Sequence, residues 1–116
     1  MTLGTDIYAA LQALASGRVY PLIGPPGAVA PYIAWQAIAG EADYHVRGPS
    51  GLHRTRVQID IWAATYAAAQ SLADSARTAM RASTAFSVAG EFDLPDDYDP
   101  ESDTYRVSLD LVLWHG

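Results

Sequence analysis

Four acids, Asp97, Asp99, Glu101 and Asp103, alternate along one stretch of the chain, as the first oxygen ligands of a calcium loop do. Such a loop needs a turning glycine at its sixth position and a bidentate glutamate at its twelfth. Those places hold Ser102 and Ser108. The stretch therefore reads as a solvated acidic loop. The three histidines, His45, His53 and His115, lie on two expected loops and at the terminus without paired spacing, whereas zinc needs three or four converging ligands. Gly48-Pro49-Ser50-Gly51 lacks the spacing of a nucleophile elbow, and no base is tied to Ser50. Pro49 removes an amide that a phosphate cradle would use, and no Gly-Lys-Ser/Thr run exists. The sequence thus leads to the expectation of a non-enzymatic protein with no metal and no cofactor.

The elements that would position any site are organised around Gly48 to Arg77. A glycine-proline loop runs into an alternating strand, Arg54 to Trp62. Val57, Ile59 and Ile61 fall on one face and Arg56, Gln58, Asp60 and Trp62 on the other, the period of a strand with one buried face. Thr65 then offers an oxygen to the free amides of a helix. Ala69, Leu72, Ala73, Ala76 and Met80 recur along it as one buried stripe. A strand and helix joined by two or three residues must fold back on each other.

Composition bounds the answer. At 116 residues, 50% hydrophobic and 17% charged, the chain is expected to form a single globular domain over 1–116. No apolar run approaches the ~20 residues a bilayer requires, no export signal is evident, and no cysteine is present. Net charge is −6, and the seven cations are scattered arginines. A protein that grips nucleic acid by its phosphates presents a basic face, so DNA could pass this chain without being held.

Helix 1 is expected over about Thr5 to Ala15, capped by Thr5, with Thr2 an earlier start that Gly4 weakens without forbidding. Ser16 and Gly17 end it. Arg18 to Leu22 is a short extended piece. Gly24 to Pro31, with three prolines and two glycines, is a loop. Tyr32 to Ala39 is a strand, and the polar stretch Gly40 to His53 is expected to join it to the next strand as a long protruding hairpin. Helix 2 should end near Arg81 or Ala82. Ser83 to Phe92 reads as a strand or a strand with a bulge, Asp93 to Asp103 as a loop, and Thr104 to Trp114 as the most regular strand. The order predicts an α+β two-layer sandwich, two helices on one face of a mostly antiparallel sheet of four to five strands. On the face away from the helices, Arg56, Asp60, Trp62, Arg106, Asp110 and Trp114 form either a solvated surface with weak pairs such as Arg106 with Asp60, or a subunit interface.

A family resemblance runs through Arg18-Val19-Tyr20-Pro21-Leu22, Pro31-Tyr32-Ile33, Ser50-Gly51-Leu52, Arg56-Val57-Gln58-Ile59-Asp60, Ala64-Thr65-Tyr66-Ala67-Ala68-Ala69, Tyr98-Asp99-Pro100-Glu101, Tyr105-Arg106-Val107-Ser108-Leu109-Asp110 and Trp114-His115. Taken in order, the set resembles the tail-terminator or tail-completion (head–tail joining) proteins of long-tailed bacteriophages, prophages and gene transfer agents. The resemblance implies a virion subunit, assembled in the bacterial cytoplasm, that forms a homo-oligomeric ring, commonly a hexamer, at the head-proximal end of the tail. The ring would stop growth of the tube, dock the head connector and let DNA pass through. It implies no catalytic residues. Under it the six sheet-face residues become the candidate ring interface, and Asp43, Tyr44, His45, Arg47, His53 and Arg54 the candidate lumen or partner loop. The competing class is a stand-alone adaptor module; a small hydrolase or calcium protein is the third.

Overall fold

The computed structural model describes residues 2–41 and 53–115. The chain runs α1 (Leu3–Leu11), β1 (Val19–Pro21), β2 (Tyr32–Glu41), β3 (His53–Ala63), α2 (Tyr66–Ala82), β4 (Phe86–Asp93), β5 (Asp97–Asp99) and β6 (Thr104–His115). The strands form one sheet in the order β1-β2-β3-β6-β4, with β5 continuing the β4 side along β6. Only β1 with β2 is a parallel pair; β2 with β3, β3 with β6, and β4 and β5 with β6 are antiparallel. This is the expected α+β architecture with six strands in place of four to five. The extra strand is β5, inside the stretch read as plain loop. Asp97 and Asp99 are poor strand formers, and the segment pairs because β6 offers it a free edge, Asp97, Tyr98 and Asp99 lying opposite Arg106, Tyr105 and Thr104.

The organising unit folds as its pattern dictates. Val57, Ile59, Ile61 and Ala63 are buried, and the residues between them are half-buried. Thr65 caps α2, its side-chain oxygen accepting from the Ala68 amide at 3.1 Å. The helix buries Ala69, Ala73, Ala76 and Met80, with Leu72 partly buried against the same core. Three alanines in that stripe let the helix axis approach the sheet closely, and the helix packs across β3 and β6. Leu109, Leu111 and Leu113 of β6 complete the floor.

Helix α1 starts earlier than Thr5. Thr2 is the cap, accepting from the Thr5 amide at 3.2 Å, and the helical run ends at Leu11 rather than Ala15. Gly4 is present for contact. A Cβ there would stand 3.0 Å from the Trp35 ring, so Trp35 of β2 packs against the first turn of α1 and sets the helix over that side of the sheet. After Leu11 the chain turns, with Ser16 and Gly17 both at positive φ, and Ala15 still reaches the core. In β4 the register shifts between Val88 and Gly90, which decides for the bulged form of the two readings of this strand.

Candidate functional site

The antiparallel registers put Arg54, Arg56, Gln58, Asp60 and Trp62 of β3 beside Trp114, Val112, Asp110, Ser108 and Arg106 of β6, all on the face without helices. All six proposed interface residues therefore share one surface. The pair expected among them, Arg106 with Asp60, does not form. Asp60 lies opposite Ser108, not Arg106, and accepts from Ser108 Oγ at 2.7 Å and Gln58 Nε2 at 2.9 Å. Arg106 sits over the Trp62 ring at 5.8 Å and faces Asp97 of β5 at 3.8 Å. The register decides this: Arg106 lies two residues along β6 from the partner of Asp60, opposite Trp62, and β5 supplies a carboxylate to it.

On this face Arg56 and Asp110 form an ion pair between adjacent strands. Asp110 is 1% exposed and Arg56 is half-exposed, so the guanidinium covers a carboxylate that the sheet would otherwise leave without a counter-charge. Ser108, Asp110 and Val112 are all buried on the open face. Neighbouring side chains on β3 and β4 cover the middle of β6, and the surface a partner meets consists of the residues around it.

At one end of that surface Trp62 stacks on Tyr32, centroids 6.0 Å apart and planes at 17°, and Tyr20 lies 6.0 Å beyond. With Arg106 above, these rings form an aromatic and cationic corner. Burial, and then the charges of Asp99 and Asp60, push the Tyr32 phenol above its ordinary value. Sequence reasoning placed Trp62 here and missed Tyr20 and Tyr32. The β2–β3 register brings Tyr32 opposite Trp62, which the local pattern of either strand does not reveal. At the other end stands Trp114, half-buried, while Phe92 of β4, 55% exposed, lies opposite Asp110 nearer the middle of β6.

The loop candidates divide. Asp43, Tyr44, His45 and Arg47 lie outside the described residues. His53 and Arg54, expected at the loop's end, belong to β3, which begins one residue before the expected Arg54. His53 and His115 face each other across β3 and β6 with ring centroids 5.8 Å apart, a pairing their spacing in sequence did not reveal. His115 Nε2 is 2.7 Å from the Thr55 hydroxyl. Two imidazoles fall short of the three or four ligands of a zinc site. Among the described residues no group of three or more His, Cys, Asp or Glu side chains could hold a metal.

The acidic stretch uses its carboxylates locally. Asp97 Oδ1 accepts from the Tyr98 amide, Asp99 from the Glu101 amide and the Ser102 hydroxyl, and Asp103 from the Tyr98 hydroxyl. Tyr66 donates to Asp96. These bonds hold the Tyr66 and Tyr98 phenols above the ordinary tyrosine value. Nearby, Arg77 bridges Asp74 and Asp93, and Arg81 meets Glu91 with two bonds of 2.6 Å. The neighbouring carboxylate raises the Arg81 pKa further.

Fold and surface together define a small two-layer α+β building block whose distinguishing features lie on surfaces suited to other proteins. Residues 7–116 match the family described as Tail completion protein gp17. The chain belongs to that family and is a structural component of a phage-type virion tail. Among solved structures, the fold is shared with a chain of the "Virion of native gene transfer agent (GTA) particle". It is 21% identical, the match covers 97% of this chain and 91% of that one, and the TM-score is 0.62. No curated protein sequence matches the chain.

Proposed function

We propose that residues 1–116 act as one domain, a ring subunit at the head-proximal end of the tail. The ring terminates growth of the tail tube and presents the docking surface for the head connector. Copies of the chain, six in the simplest ring, contact one another through the open sheet face, and DNA passes through the hole without specific binding. The proposal assigns a structural part with no catalytic step. The observation that carries it, beside family membership, is the aromatic corner of Tyr20, Tyr32, Trp62 and Arg106 on a face that no helix covers. Trp and Arg are the residues enriched at interfaces. A closed ring needs heterologous contacts, one surface meeting a different one on the next copy, and an acidic subunit suits a conduit that must release its cargo. The sequence adds the 40–53 hairpin, with Asp43, Tyr44, His45 and Arg47, as the part that lines the lumen or touches a neighbouring ring.

The test is substitution at the two ends of the face. Trp62→Ala and Trp114→Ala should weaken ring assembly in tails more than they weaken folding of the free chain. Normal assembly by both variants would rule the face out as the interface. Deleting the tip of the 40–53 hairpin should block head joining or tube capping, and particles of normal yield and tail length would remove that assignment.

A further inference from the structure

From Val19 to Gly40 the chain carries no charged residue. Within this stretch, the segment between β1 and β2 exposes Leu22 (65%), Ile23 (78%) and Val29 (64%), three of the most exposed large apolar side chains described. It is held in shape. The Leu22 amide donates to the Trp35 carbonyl at 2.7 Å, Ala28 to Pro25 at 2.9 Å, and Arg18 Nε to the Pro31 carbonyl at 2.9 Å. Leu22 sits at φ 69°, a left-handed conformation unusual for a branched side chain. Pro21, Pro25, Pro26 and Pro31 lack the amides that strand addition uses, so this arm is suited to contact through its side chains.

On the helix layer a complementary surface is left open. Ala9 and Ala10 of α1 face Ala79 and Ala82 of α2 across a groove of about 520 Å³, in the size range of ligand pockets. It continues past the same two α2 alanines toward Leu14 and Thr78. The walls are small and apolar, and the ionisable residues lining it are Asp6 and Asp74. Asp6 Oδ1 is enclosed with no hydrogen-bond partner. The charged residue at the root of the arm is Arg18. An apolar arm with a cation at its base thus matches an apolar groove with carboxylates at its rim, and the arm does not occupy the groove of its own chain, since its apolar side chains stay exposed.

We propose that the 22–31 arm of one copy seats in the α1–α2 groove of the next. The contact joins two different surfaces, so it is heterologous and repeats around a ring. The inference rests on the ring reading above and specifies a second contact beside the sheet face. Arg18 of the entering arm then lies near Asp6 and Asp74 of the receiving copy.

The chain has no cysteine, so a disulfide between two copies of it can arise from introduced thiols only. Two singly substituted chains, Ile23→Cys and Ala82→Cys, are co-expressed in assembled particles, which are then oxidised and imaged at the tail end. Val29→Cys with Ala82→Cys serves as a second pair should Ile23→Cys disturb the arm. A disulfide between the two chains in the mixture, and none in particles carrying either variant alone, is the expected result. A visible ring of this chain with neither pair crosslinked overturns the arm placement and leaves the ring standing. Crosslinks that join the arm to a different virion protein overturn it too. Absence of any ring of this chain overturns both readings.

Discussion

The two lateral edges of the sheet differ in charge, in bonding and in what they expose. The β1/β2 edge is uncharged from 19 to 40 and shows Leu22, Ile23 and Val29 to solvent. The β4/β5 edge carries Glu91, Asp93, Asp96, Asp97, Asp99, Glu101 and Asp103. Its acids are tied into the chain's own fold: Arg81 and Arg77 of α2 reach across to Glu91 and Asp93, Arg106 of β6 faces Asp97, and Tyr66 and Tyr98 donate to Asp96 and Asp103. Both edges resist strand addition, one by proline and one by charge. The difference lies in what remains available. The acidic edge has most of its carboxylates in internal bonds and exposes the rings of Phe92 and Tyr98, whereas the neutral edge offers the three most exposed large apolar side chains described.

The largest expected effect comes from charging the neutral edge. Ile23→Asp with Val29→Asp should lower ring assembly on the order of tenfold or more, with the thermal midpoint of the free chain almost unmoved, because neither side chain packs in the core. A large loss of thermal stability would show that this edge supports the fold and would break the contrast. The centre of the sheet gives a yardstick. Arg56→Ala strips the buried Asp110 carboxylate of its cation and should cost about 2 kcal/mol in urea unfolding, below the usual penalty for a broken buried pair because Arg56 is half-exposed. On the acidic edge Arg77→Ala should cost about 0.5–1 kcal/mol at low salt, and the gap should narrow as salt screens the exposed Asp74 and Asp93. The smallest effect concerns pH. Tyr66 and Tyr98 have raised pKa values in the fold, so their stabilising bonds are fully present below the ordinary value of about 10 and fade as pH climbs through the raised ones. The thermal midpoint should fall above pH 10, less steeply in Tyr66→Phe with Tyr98→Phe; an identical slope would remove these bonds from the account.

Most of the architecture was legible in the sequence because local chemistry and tertiary demand agree there. The alternation of β3, the Thr65 cap and the alanine-rich stripe of α2 all survive into the structure. The misses have identifiable causes. Gly4 lowers helix propensity at the start of α1, and its benefit, room for the Trp35 ring, lies 31 residues away in sequence. Asp97 and Asp99 are poor strand formers, and β5 depends on the free edge of β6. The six face residues share a surface because period two is local information, but their partners follow from register. That is why Arg106 finds Trp62 and Asp97 rather than Asp60, and why the pairings of Tyr32 with Trp62 and His115 with His53 are not legible in the sequence. The arm was legible as a proline-rich loop, and its uncharged run from 19 to 40 was the overlooked sign of its apolar exposure.

Electron cryomicroscopy of intact particles, focused where the tail meets the head, tests the central claim most directly. The account predicts a closed ring of this chain between the last ring of the tail tube and the head connector, with the open sheet faces at subunit boundaries. Density for the chain elsewhere in the particle, or single copies there without contact to one another, would contradict it.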